Sequence, residues 1–166
     1  MIAVTKLNKS KTYVCCEVGT SWISHIIQRM SKKLYKKAIA SNIASHVFAL
    51  RYKNNKWMIW ENHLKWGSIK EYPLKDFEMG SSKDILVYEY PLNTDSMDYW
   101  LNNNPGYSVV NLFEIAEERL IGLTLPDTKG WVCSQAIAAC NFKICNDLKK
   151  PFSAIIPADF QFYLTK

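Results

Sequence analysis

The chain is predicted to be an α+β protein with an antiparallel sheet laid down first and helices after it. Three features predict this. Short runs rich in Val, Ile, Phe, Tyr and Trp recur between residues 45 and 90 with turn signals between them. A helical stripe at 22–35 precedes them, and an alanine-rich run opening at Cys133 follows. Strands and helices are therefore segregated rather than alternating as βαβ units.

Residues 11–18, KTYVCCEV, read as a strand, with Tyr13, Cys15 and Glu17 on one face and Val14, Cys16 and Val18 on the other. Gly19-Thr20-Ser21 is a turn carrying a helix N-cap. Trp22, Ile23, Ile26, Ile27, Met30 and Leu34 then form one helical stripe. Lys32, Lys33, Lys36 and Lys37 load its end, where cations suit the helix dipole. SHVFALRY (45–52) and WMIWE (57–61) are apolar runs joined by KNNK, which has hairpin character. SIKEYPL (68–74) and ILVYEY (85–90) read as two further strands. Thr94 or Asp95 can cap a short helix through Trp100, NNNPG (102–106) is a turn, and Asn111–Leu120 is an amphipathic helix ending at Gly122. Residues 133–142 are helical, and 151–157 return to an apolar run ending at Pro157.

With 166 residues, 48% hydrophobic and 13% aromatic, the chain has room for one sizeable core and is expected to be a single domain over 1–166. This composition excludes a disordered chain, and no apolar stretch approaches the ~20 residues of a transmembrane helix. The start, MIAVTKLNKSK, lacks the form of a signal peptide. Five cysteines without a CxxC pair, and three histidines without an HxxxH pair, signal neither a disulfide framework nor a metal site; no cofactor is implied, and the expected compartment is a reducing cytoplasm. Residues 1–83 hold fifteen Lys and Arg against five Asp and Glu, whereas 84–166 hold six against ten. A basic half suits an anionic partner. The 18 Lys against 3 Arg point away from specific nucleic-acid recognition, because Arg is the better bidentate reader of phosphate.

Cys133 is the residue with the clearest chemical potential. It follows the loop LPDTKGW and opens the run CSQAIAAC, so its sulfur meets the unpaired N–H groups and positive end of a helix. That setting favours the thiolate, the nucleophilic form. His46, one residue into the strand SHVFAL, is the candidate base, and Glu61, closing the run WMIWE, is the candidate carboxylate to orient the imidazole. Asn62 and His63 could take that third place if the register differs by one or two. His25 is expected at the surface, and Cys140 in the core on the helical face of Cys133.

In order and spacing these motifs resemble the circularly permuted branch of the NlpC-type papain-like cysteine hydrolases, over roughly residues 13–164. The resemblance is carried by GTSWISHII (19–27), SHVFAL (45–50), WENHLKWGSI with Glu61 and Gly67, WVCSQA with Trp131, Cys133 and Ser134, and Pro157-Ala158-Asp159. A Gly-Asp start of the first strand, common in that family, is absent, and 31–44 is long and lysine-rich. The resemblance implies a papain-like α+β fold, an antiparallel sheet or partial barrel packed against the helix bearing the cysteine. It implies Cys133 as nucleophile, His46 as general base and Glu61 as the orienting residue of a hydrolase. The bond cleaved would be an amide, with ester and thioester as alternatives, in wall peptides, isopeptides or lipid acyl groups. The Cys133 N–H is the first oxyanion donor, with Tyr13 and Gln135 as candidates for the second. Tyr107 falls where the family often carries Tyr, and it is a groove candidate together with Trp131. Two alternatives stand beside this reading: a catalytically inactive binding module on the same fold, and a basic nucleic-acid-binding protein.

Overall fold

Pairing of alternating apolar runs gives the molecule its frame. In a computed structural model that describes residues 6–35, 43–77, 82–111, 113–115 and 130–165, five strands form one antiparallel sheet among the described residues. They are β1 (Tyr13–Gly19), β2 (His46–Lys53), β3 (Lys56–His63), β4 (Ser68–Pro73) and β5 (Ser82–Glu89), in the order β4-β3-β2-β1-β5. The expected β2–β3 hairpin closes through Asn54 and Asn55, both at positive φ (52° and 60°). Asn tolerates this left-handed geometry, which matches the twist of the paired strands.

Helix α1 (Trp22–Leu34) lies between β1 and β2 in the chain, and α2 (Thr94–Asn102), α3 (Cys133–Ala139), α4 (Lys143–Leu148) and α5 (Pro157–Leu164) follow the sheet. The α+β expectation and the packing of the Cys133 helix on the sheet are both realised, with α3 lying against β2 and β3. Period-two alternation sorts the sheet's residues into two layers. Val14, Cys16, Val47, Ala49 and Trp60 face the helices and pack with Cys133, Ala136, Ile137 and Phe160. Tyr13, Cys15, Phe48, Leu50 and Ile59 face the other way and are covered by Trp57, Tyr72, Leu74 and Phe77. Cys15 and Cys16 thus point to opposite faces as expected, and both are buried because both faces are covered.

Polar ties fix the helices to this frame. Arg51, 3% exposed, donates from Nε to Glu71 Oε1 (2.5 Å), from one terminal nitrogen to Thr94 O (3.2 Å) and from the other to Asp98, stapling β2 to β4 and α2. Trp60 Nε1 donates to Met97 O at 3.1 Å. In α5, buried Asp159 accepts from Ile156 N (2.9 Å) and from Lys150 Nζ (2.5 Å), and the Tyr35 hydroxyl of the segment after α1 also donates to it. Gln161 Oε1 accepts from Ala44 N at 2.7 Å, anchoring α5 beside the start of β2.

Several boundaries differ from the sequence reading. The cap of α2 is Asn93, whose Oδ1 accepts from Ser96 N (2.9 Å), and the helix runs on to Asn102. The 133–142 helix stops at Ala139, because Asn141 turns its Nδ2 to Pro91 O (2.6 Å) and its Oδ1 to Lys143 N (2.9 Å), starting α4. The apolar run 151–157 is not a strand. Phe152–Ala154 make a 3-10 turn and Pro157 opens α5, where its fixed φ suits the first helical position. Of the 111–120 helix, 111 and 113–115 are helical; the remainder, with Gly122, lies outside the described residues.

Candidate functional site

The start of α3 is held by side chains rather than by strand pairing alone. Tyr107 and Trp131 form a parallel bridge, with Trp131 N donating to Gly106 O (3.1 Å) and Ser108 N to Trp131 O (3.2 Å). Gly130 sits at φ 98°, and a Cβ there would lie 3.1 Å from the Ser108 Cβ, so the two chain segments approach through a glycine. Fully buried Asn62 donates from Nδ2 to Trp131 O (2.9 Å) and Gly106 O (3.2 Å). Gln135 reaches back one turn, its Oε1 accepting from Val132 N (2.9 Å) and Asn111 Nδ2 (3.1 Å) while its Nε2 donates to Ser153 O (3.0 Å). These bonds present Cys133 as the first residue of α3, behind an extended Val132. Its backbone N–H is one of the orphan donors of a helix start.

His46 begins β2 opposite Glu17 of β1. The turn before it is fixed by Ser45, whose N donates to Glu17 O (2.9 Å) and whose Oγ accepts from Gly19 N (3.0 Å). By alternation His46 shares the face of Phe48 and Leu50, away from the layer that takes α3. As the strand's first residue it stands at the end of the sheet, where its ring reaches the start of the helix. There the ring lies within electrostatic reach of the Cys133 side chain. Its Nε2 meets Glu61 Oε2 at 2.6 Å. The second oxygen of Glu61, Oε1, accepts from the Tyr72 hydroxyl at 2.5 Å. His63 stands edge-on to His46, ring centroids 5.1 Å apart, and its Nδ1 accepts from Lys65 N at 3.0 Å.

The electrostatics describe charged partners. Burial opposes the imidazolium of His46, but the nearby Cys133 side chain, the hydrogen bond to Glu61 and the Glu61 charge together carry its pKa well above the ordinary value. Burial likewise opposes the Glu61 carboxylate. Its hydrogen bond to His46, the His46 charge and the Tyr72 hydroxyl outweigh that and lower its pKa. His63 is lowered by burial and then by the His46 charge, so the adjacent imidazole stays neutral when His46 is charged. Tyr107 is raised by burial and by the Cys133 charge, so its phenol remains protonated and able to donate.

His46 and Glu61 are therefore joined by a hydrogen bond, and Cys133 lies within electrostatic reach of His46 and of Tyr107. Trp131 is half-buried, its ring packed between Trp100 (4.5 Å) and Phe152 (5.2 Å). Tyr13 is not brought to the thiol: it sits at the far end of β1 on the other sheet face, its hydroxyl accepting from Asn8 N at 2.8 Å. Gln135 does not serve as the second oxyanion donor either, because its amide is spent on Ser153 O and on the loop before Cys133. Asn62 holds that loop and does not orient His46. Neither Asn62's role nor that of Tyr72 was read from the sequence. The Tyr72 signal lies in the register that pairs Glu61 with Lys70 and sets residue 72 diagonally across from it. His25 is exposed, and Cys140, 2% exposed, is a core residue.

No family model matches the chain, and no curated protein matches it. Among the described residues, no group of three or more His, Cys, Asp or Glu side chains could hold a metal ion, and no helix is long and apolar enough to cross a membrane.

Proposed function

We propose that this chain is a thiol hydrolase of the papain-like kind, similar in its motif order to the circularly permuted NlpC-type branch, with Cys133 as nucleophile, His46 as base and acid, and Glu61 as the orienting carboxylate. One observation carries the reading: a single imidazole, at a strand end, is hydrogen-bonded to a buried carboxylate and lies within electrostatic reach of the thiol at a helix start. In such a site His46 holds the Cys133 proton. The thiolate adds to the carbonyl carbon of an amide, forming a C–S bond, and the developing oxyanion is met by the Cys133 N–H. Tyr107, protonated beside the sulfur, is the remaining groove candidate for a second donor. His46 then gives its proton to the leaving amine as the C–N bond breaks. Water, deprotonated by His46, displaces the sulfur and releases the acid. Esters and thioesters follow the same course with an alcohol or thiol leaving. Peptide, isopeptide or acyl substrates with anionic groups suit the basic first half of the chain.

A specific observation favours a second reading. Cys133 is only 3% exposed and packs within the main core cluster, as expected of an inactive binding module on the same fold. Iodoacetamide labelling of Cys133 against pH separates the two. The hydrolase gives rapid labelling near pH ~6 that disappears in His46→Ala, whereas an ordinary thiol labels only as pH passes about 8. Labelling of the second kind in the wild type would discard the hydrolase.

A further inference from the structure

Among the described residues, the Tyr72 hydroxyl is the one hydrogen-bond partner of the triad carboxylate outside the triad, and its position is built into the sheet. Glu61 pairs with Lys70 and Ile59 with Tyr72 across β3 and β4, so Tyr72 is the diagonal neighbour of Glu61 on the same face. Its ring packs edge-on against Trp66 at 4.9 Å. The Glu61 side chain is 3% exposed and both its oxygens are taken, Oε2 by His46 (2.6 Å) and Oε1 by Tyr72 (2.5 Å). Hydrogen bonds thus run from β4 to β3 and to β2, through Tyr72, Glu61 and His46, whose ring lies within electrostatic reach of Cys133 at the start of α3.

We propose that Tyr72 is a positioning residue for the reaction, its hydroxyl fixing the Glu61 carboxylate so that Oε2 holds His46 in line with Cys133; the proposal rests on the thiol-hydrolase reading. A carboxylate can turn about its last bond, and a buried one with one free oxygen has no reason to keep the other on an imidazole. A pocket of about 320 Å³ opens beside Glu61, His63, Trp66 and Tyr72, so water is the competing partner for Oε1. Water gives a hydrogen bond without a direction. The phenol, set by strand register and by Trp66, gives one with a direction. It also stabilises the charged form of Glu61, and through it the imidazolium that the thiolate needs.

Tyr72→Phe tests this, because it keeps the ring packing and lets water from the pocket take the place of the hydroxyl. In the wild type, iodoacetamide labelling of Cys133 has an acid limb that depends on His46. In Tyr72→Phe that limb moves up by about one pH unit, so labelling at pH ~6 falls roughly tenfold, with the thermal midpoint little changed. The downfield N–H resonance of His46, observed by NMR, moves upfield. In a Glu61→Gln background the same substitution produces no further change, because Tyr72 acts only through that carboxylate. A wild type without a His46-dependent limb overturns both the hydrolase reading and this one. A normal wild type with a superimposable Tyr72→Phe profile overturns the role of Tyr72 alone, as does an effect that persists undiminished in the Glu61→Gln background.

Discussion

The two ends of α3 carry the same side chain in nearly the same degree of burial and give it different company. Cys133 at the first position is 3% exposed and Cys140, the C-cap, is 2% exposed. Cys140 turns its sulfur to the carbonyl of Ala136, one turn back in its own helix, at 3.5 Å. Burial pushes its pKa up to about 12, against a smaller lowering by the Arg51 charge. Cys133 instead meets an imidazole from another element, itself held by a carboxylate. On the thiol-hydrolase reading, burial is therefore not what would separate an inert thiol from a nucleophile here. The separation comes from a proton acceptor and from the end of the helix: N–H groups are unpaired at the start, carbonyls at the finish.

The largest expected effect tests that contrast directly. Peptide mapping after brief iodoacetamide treatment near pH ~6 should find Cys133 labelled at least ~100-fold faster than Cys140, and His46→Ala should bring the two rates together. Equal rates in the wild type would erase the distinction. Next comes the loop that presents Cys133. Asn62→Ala removes two hydrogen bonds to half-buried carbonyls and should cost about 1–3 kcal/mol in urea denaturation, with slower Cys133 labelling and no change at Cys140. Gly130→Ala places a Cβ at φ 98° and 3.1 Å from Ser108. It should cost about 1–3 kcal/mol and again affect only the Cys133 end of the helix.

The smallest effect is in pH. A histidine whose folded pKa is raised contributes stability that is fully present below its unfolded value of about 6.5 and is lost as pH rises through the folded value. The wild-type thermal midpoint should accordingly fall by roughly 2–4 °C for each kcal/mol lost as the pH is taken into the alkaline range. His46→Ala should flatten that decline, and a parallel decline in both proteins would show that His46 is not the group responsible.

Much of this arrangement was legible before folding. The strands of the first half announce themselves because one face of each is buried, and alternation is the imprint of that burial. KNNK marks its hairpin because two left-handed residues are needed and Asn accepts the conformation. Cys133 could be singled out because a loop gives way to small helical residues at that position. Tyr13 was misjudged because its alternation is clear but the end of the strand at which the chemistry assembles is not. Gln135 was misjudged because a polar residue near a thiol looks free until the backbone it caps is in place. The 151–157 run carries no secondary-structure signal of its own, because a short apolar segment has no period long enough to tell a strand from a 3-10 turn.

Local sequence, acting through propensity, alternation and turn chemistry, determined the segregated α+β order, the hairpin, the helical position of Cys133 and the strand positions of His46 and Glu61. Tertiary structure alone decided that the imidazole, on the sheet face turned away from α3, nonetheless comes within electrostatic reach of Cys133, and that Tyr72 hydrogen-bonds Glu61 from behind. The physical reason is one of range. Side-chain periodicity is fixed within a few residues, whereas strand register and the meeting of a sheet end with a helix end are set by the packing of segments far apart in the chain.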